Sequence, residues 1–260
     1  MKLDLGCGES KHPGFLGIDK RPLEGVDLVC DFDQGFPLPE NSVEFVIASR
    51  SLAYSRDLPA LLSEIYRVCI HKAVVCMLVP YAHHFRHRSN PYLRQLFDES
   101  SPRYWTNSFW EAAAGARCPP LSAYGGEEVP YDFRLLRMEL FYSPPYRPPL
   151  YDEEELEGLK SFEPNVVDEM MFHLVVCKAE MSPEELHQLS RQGHEEPVWA
   201  ASLRSVRESE PEEGGEEESA PPSSRETRPA DPRRSPPLPP RVRKRKSSRS
   251  RRPRGTGSRR

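Results

Sequence analysis

The stretch Lys2-Leu3-Asp4-Leu5-Gly6-Cys7-Gly8 constrains the fold more than any other part of this chain. Leu3 and Leu5 give a short buried strand, and Gly6 and Gly8 let the backbone turn sharply and pass close to a ligand. Many α/β proteins carry such a turn for structural reasons alone. Asp19 sharpens the reading, because it ends a second apolar stretch, Phe15-Leu16-Gly17-Ile18. In doubly wound sheets an acid at the end of the second strand can accept hydrogen bonds from ribose hydroxyls held over the first turn. The two features together point to a nucleoside-containing ligand. Gly8-Glu9-Ser10-Lys11 lacks the spacing of a P-loop, so a nucleotide triphosphate is not implied.

Further elements follow in order. Residues 26–32 read as a third strand that ends in Asp31 and Phe32. Residues 36–49 read as a Pro-rich loop leading into a fourth apolar strand. Leu58, Leu61, Leu62, Ile65 and Val68 stand at helical spacing. Residues 73–79 form a fifth buried strand stopped by Pro80, and 171–178 read as the last strand of the sheet.

In this order the pieces resemble the class I S-adenosylmethionine-dependent methyltransferases, and most closely their small "type 11" group. That pattern runs L-D-L-G-C-G, an acid, D-x-x-x-x-L-P-F-x-D-x-S-F-D, then a helix ending E-I-x-R-V. Here the matching pieces are 3–8, Asp19, 31–45 and Glu64-Ile65-Tyr66-Arg67-Val68. The likeness covers roughly the first third of the chain. It implies an α/β fold, a Rossmann-like doubly wound sheet of the class I methyltransferase type, and S-adenosyl-L-methionine as cofactor. By the same likeness the cofactor lies against Asp4, Gly6, Cys7, Gly8, Asp19, Asp31, Phe32 and Ser49. Asp4 would meet the ammonium, or simply hold the turn through backbone N–H groups. Asp19 would take the ribose hydroxyls, and Asp31 the adenine amino group unless it is only a strand-end turn residue. Phe32 would flank the ring. Cys7 suits the turn by its small size rather than its nucleophilicity.

The likeness fails at an informative place. The group usually has H-x-L-E-H after the fourth strand, and this chain has Arg50-Ser51-Leu52-Ala53-Tyr54. No histidine base can be carried over there. Tyr54 could orient or stack on an acceptor, but a neutral phenol is a poor base near pH 7. His83, His84 and His87, just past Pro80, are the replacement acid/base candidates, or else a solvated loop. A metal pair from His83 and His87 lacks a third ligand, so no metal is assigned. The link from Gly8 to Asp19 is too short for a helix and a strand together, and Pro13 and Gly14 oppose a helix. Helices that commonly precede the first strand of this fold, and often cover the ligand, are missing. Their cover must come from elsewhere in the chain, or the start lies further upstream.

The 260 residues carry a formal net charge of -4. Residues 1–180 read as the methyltransferase-like domain, within which 81–165 is a variable substrate-side segment rich in aromatic residues and Pro. A helix is expected over 108–115. The aromatic residues either pack the sheet edge or line a substrate pocket. Ser182-Pro183-Glu184-Glu185 reads as a helix start, so 181–206 is a helix and linker. Residues 207–260 form an acidic then basic tail with almost no large apolar residues, a composition that predicts disorder. A cut after about Gln192 is expected to remove nothing of the core. The six cysteines include no C-x-x-C pair and read as free thiols. No signal peptide or membrane-length apolar run is present, which predicts a cytoplasmic protein, or a nuclear one.

The expected function is methyl transfer from S-adenosyl-L-methionine to an unidentified acceptor, small-molecule or glycan-type rather than nucleic acid. The basic tail could bind nucleic acid nonspecifically, since it offers charge but no aromatic residues for stacking. The rival is a catalytically inactive cofactor-binding or protein-interaction module with the same fold. A dehydrogenase is disfavoured, because the turn lacks the third glycine of G-x-G-x-x-G.

Overall fold

The computed structural model describes residues 1–111, 117–119, 128–147 and 150–204. The described residues belong to one compact unit. The predicted acidic and basic tail and the end of the helix expected over 108–115 fall outside the described residues, and 108–111 are not helical. In chain order the elements are β1 (Lys2–Leu5), β2 (Leu16–Asp19), β3 (Leu28–Val29), β4 (Val43–Ser49), α1 (Leu58–Val68), β5 (Cys69–Pro80) and α2 (Phe85–Arg88). There follow β6 (Phe133–Tyr142), α3 (Glu153–Phe162), β7 (Val167–Val176), α4 (Pro183–Ser190) and α5 (Val198–Arg204).

The strands form a single seven-stranded sheet in the order β3-β2-β1-β4-β5-β7-β6. β1 to β5 pair in parallel, and β7 runs antiparallel to both of its neighbours. This is a Rossmann-like, doubly wound sheet of the class I methyltransferase type. The strand order reverses between β1 and β4, so their carboxyl ends flank the crevice where open α/β sheets take ligands.

Helix α1 forms because Asp57 caps it, accepting from the Ala60 N–H at 3.0 Å, and Pro59 fits its first turn. Its buried stripe of Leu61, Leu62, Ile65 and Val68 packs on one face of the sheet with Leu3, Leu5, Val46, Met77 and Phe172. Burial of each such side chain stabilises the fold by about 1.5–3 kcal/mol. The other face carries Phe15, Phe45, Ile47, Cys76 and Met171, and α4 and α5 cover it with Leu186 and Ala200. Helix α4 starts at the predicted place, with a capping box between Ser182 and Glu185.

The link from β1 to β2 carries no helix, in line with the sequence reading, and Phe15 packs edge-on against Phe45 at 5.9 Å between ring centres. Several boundaries differ from the sequence reading. β3 shrinks to two residues at the sheet edge, where Val29 is exposed. β6 lies inside the segment read as variable; its arginines and glutamate hide the apolar alternation. β7 begins at Val167 rather than Met171, because Asp168 and Glu169 are buried within it and partnered by arginines. Most aromatic residues of the middle segment pack the core, among them Phe97, Trp105, Tyr131 and Phe133, while Tyr92 and Phe85 are exposed.

The expectation that a cut after Gln192 removes nothing of the core does not hold. Ala200 is buried and Leu203 packs on the second core cluster. Glu195 pairs with Lys2 of β1, and its carbonyl lies 3.4 Å from His173 Nε2 on β7. Arg204 donates to Glu139 at 2.6 and 2.7 Å and to Glu196 at 2.6 and 2.9 Å. Helix α5 has only seven residues, too few for periodicity to reveal its packed face.

Candidate functional site

The glycine turn forms as the sequence requires. Gly6 and Gly8 take φ of +72° and +55°, the left-handed region. The N–H groups of Gly6 and Cys7 donate to the Ile18 carbonyl at 2.7 and 3.1 Å, which ties the turn to β2. A Cβ on Gly6 would lie 2.3 Å from Ser51 Cβ, whereas one on Gly8 would meet nothing within 4 Å. Gly6 is therefore fixed by packing, and Gly8 borders open space.

Asp19 closes the turn from the other side. Its Oδ2 accepts from the Gly8 N–H at 3.1 Å and its Oδ1 from the Arg21 N–H at 2.9 Å. Each oxygen keeps a lone pair for a further donor. Asp4 is buried in β1, and its Oδ2 accepts from the His12 N–H at 2.7 Å. Its Oδ1 has no hydrogen-bond partner among the described residues. Burial raises the Asp4 carboxyl above its ordinary range, against the opposing pull of the His12 N–H. A buried carboxylate with a free oxygen fits a cationic ligand group, which would restore its charged form. Burial, with the nearby Asp4 and Asp19, pushes the Cys7 thiol up to about 11, so it is not a nucleophile near neutral pH.

Asp4, Gly6 and Cys7 line one cleft together with Ser49, Arg50 and Trp199. Ser49 ends β4 and stands where the sequence placed it. Asp31 and Phe32 lie beyond the edge of β3. Asp31 caps a 3-10 turn at Phe32–Gln34, accepting from the Asp33 N–H at 3.2 Å, so its turn role is realised. Phe32 is half-buried against the first core cluster. Neither residue lines that cleft.

Arg50 and Trp199 are features the sequence reading missed. Arg50 has a positive φ of 57°, and its guanidinium donates to both Glu169 oxygens at 2.6 Å. The Glu169 hydrogen bonds raise the Arg50 pKa despite burial. Trp199 of α5 lies over this guanidinium at 5.7 Å. Residues 197–199 complete the cleft wall. No local signal marks Trp199, because only the antiparallel return of β7 and the turn of α4 bring it there.

The histidines divide. His83 packs its ring against Tyr81 at 5.3 Å and lines a groove of about 900 Å³ with Leu58, Phe97, Tyr104 and Tyr131. His84 caps α2, its Nδ1 accepting from the Arg86 N–H at 3.2 Å. His87 Nε2 lies 2.8 Å from the Asp168 carbonyl and 2.9 Å from Asp168 Oδ1. Tyr54 is 41 % exposed, and its hydroxyl accepts from Asn90 at 3.4 Å. The six cysteines are free thiols, as expected.

No family model matches this chain, and no curated protein matches it. Many solved structures do. A SAM-dependent methyltransferase from Aquifex aeolicus is 17 % identical over 38 % of this chain and 64 % of its own, with a TM-score of 0.30. One from Archaeoglobus fulgidus is 14 % identical over 68 % of this chain and 85 % of its own, with a TM-score of 0.43. A Haloferax volcanii protein in complex with the methyltransferase activator Trm112 is 16 % identical over 68 % and 82 %, with a TM-score of 0.40. The sheet order, not these likenesses, carries the fold assignment.

Proposed function

We propose that this protein binds S-adenosyl-L-methionine over the β1 turn and transfers its methyl group to a small-molecule or glycan-type acceptor. The observation that carries this reading is the Asp4–turn–Asp19 arrangement at the point where the strand order reverses. One carboxylate there is buried with a free oxygen, and the other is bonded to the turn itself. Asp4 would hold the ammonium, Gly6, Cys7 and Gly8 would border the amino-acid end, and Asp19 would accept from the ribose hydroxyls. Ser49 would close the amino-acid end, with Asp31 and Phe32 at the base.

The cofactor supplies an activated methyl with its own leaving group when bound. The chain then needs only to align the acceptor, exclude water and remove a proton where the acceptor requires it. Val198 and Trp199 would exclude water from the cleft. The groove with His83, Tyr104 and Tyr131 offers aromatic walls suited to a flat ring or a sugar face. His83 is the proton acceptor best placed for that groove. His84 spends Nδ1 on its cap, and Tyr54 would orient the acceptor rather than deprotonate it. The basic tail would add nonspecific attraction for nucleic acid. Among the described residues, no helix is long and apolar enough to cross a membrane.

One observation favours a second reading, a cofactor-binding module without turnover. Arg50 stands where the type 11 pattern has a histidine, and Glu169 occupies its guanidinium. Calorimetric titration with S-adenosylhomocysteine, followed by assay of its formation from S-adenosyl-L-methionine against an acceptor panel, separates the readings. Binding with turnover supports methyl transfer; binding without turnover on any acceptor supports the module.

A further inference from the structure

We propose that His84, His87 and Asp168 form a binding site for one divalent ion of the zinc class. The proposal rests on these side chains alone and is independent of the cofactor reading. His84 and His87 lie one turn apart across α2, on the same side. Antiparallel β7 brings Asp168 beside them, its carbonyl accepting from the Tyr81 N–H at 3.0 Å. The third ligand is thus about 80 residues away in sequence, which is why the histidine spacing alone could not define a site.

The geometry suits one small ion. One nitrogen from each histidine and one Asp168 oxygen all lie within 4.8 Å of one another. Asp168 Oδ1 is 2.9 Å from His87 Nε2 and 3.9 Å from His84 Nε2. Tetrahedral coordination at zinc–nitrogen and zinc–oxygen distances of about 2.0–2.2 Å sets ligand atoms about 3.3–3.6 Å apart. The observed spacings bracket that value, so small side-chain movements would complete the site. The three side chains are only 12–14 % exposed. Two imidazoles and one carboxylate are a donor set that zinc-class ions prefer, with a fourth position left for water or an oxygen ligand.

Three contacts must yield. His87 Nε2 lies 2.8 Å from the Asp168 carbonyl and 2.9 Å from Asp168 Oδ1, both acceptors, so it carries a proton there that it must lose to bind the ion. Arg86 Nη2 donates to both Asp168 oxygens at 2.6 and 2.8 Å, but its side chain is 63 % exposed and can swing into solvent. His84 Nδ1 accepts the Arg86 N–H at 3.2 Å. Ligation through Nε2 places the proton on Nδ1 and breaks that cap, so metal binding and the start of α2 are linked.

The test uses the full chain, stripped with chelator and titrated with zinc(II) or cobalt(II) alone. The expected result is one ion bound per chain, with visible cobalt bands of a four- or five-coordinate site and a shifted Arg86 amide resonance. Asp168→Asn and His87→Ala should each weaken binding more than about tenfold. Arg86→Ala, which removes the competitor without touching a ligand, should tighten it. Circular dichroism checks that each variant is folded. The proposal is overturned if wild type and Arg86→Ala both fail to bind an ion. It is equally overturned if folded His84→Ala and His87→Ala variants bind as wild type does.

Discussion

Replacing Gly6 by alanine should damage the fold through two separable terms. The residue sits at φ +72°, where an L side chain costs about 1–2 kcal/mol. The new Cβ would also lie 2.3 Å from Ser51 Cβ and 3.0 Å from Ser51 Oγ. Ser51 cannot move away freely, because it is buried and its hydroxyl donates to the Leu5 carbonyl at 2.5 Å. Overpacking of this kind costs about 1–3 kcal/mol, so the total is about 2–5 kcal/mol. Equilibrium denaturation by urea measures it. The Ser51→Gly background separates the terms, since it removes the atoms that clash and leaves the backbone term. There, Gly6→Ala should cost only about 1–2 kcal/mol, a coupling of about 1–3 kcal/mol between the sites. Gly8→Ala serves as the contrast: its Cβ meets nothing within 4 Å, so only the backbone term applies. Equal losses for Gly6→Ala in both backgrounds would refute the packing argument.

Other consequences can be checked on the same protein. Deleting everything after Gln192 should lower stability by about 2 kcal/mol, because Ala200 and Leu203 lose their apolar contacts. It should also weaken cofactor binding by opening the wall at Trp199; an unchanged melting temperature and affinity would show that α5 is dispensable. Burial lowers the His173 pKa from 6.5 to about 4, so the folded state holds this ring neutral while the unfolded chain protonates it. Stability should therefore be complete above pH 6.5 and fall toward pH 4, by at most about 1.4 kcal/mol per pH unit. His173→Gln should flatten that slope in denaturation curves taken across the window, and an unaltered slope would assign it to other groups. The raised Asp4 carboxyl predicts that S-adenosylhomocysteine binds more tightly as acidic solutions are raised through the Asp4 titration, whereas Asp4→Asn should abolish that dependence.

The fold was legible where apolar patterning was local. Leu3, Leu5 and the two glycines marked β1 and its turn, Leu61, Leu62, Ile65 and Val68 marked α1, and the Ser182 cap marked α4. Non-local pairing hid the rest. β6 is an edge strand whose apolar residues are interrupted by Arg134 and Arg137, and the start of β7 carries two acids that read as loop until Arg50 and Arg86 reach them. Asp19 was legible from its place at the end of β2, whereas Asp4 and Ser49 were singled out only through the family resemblance. Arg50 could be seen only as a missing histidine, because its partner Glu169 lies 119 positions away. Trp199 and Asp168 reach their places through tertiary structure alone.

The central claim, that the β1 turn binds the cofactor between Asp4 and Asp19, is tested most directly by calorimetric titration of the full chain with S-adenosylhomocysteine. Wild type should bind one equivalent. Asp19→Ala removes a charged acceptor from the ribose position and should weaken binding by about 1.5–3 kcal/mol, roughly 10- to 150-fold. Because Asp19 also accepts from Gly8 and Arg21, a thermal melt must show the variant folded under the assay conditions. No binding by folded wild type, or equal affinity for a folded Asp19→Ala variant, would contradict the account.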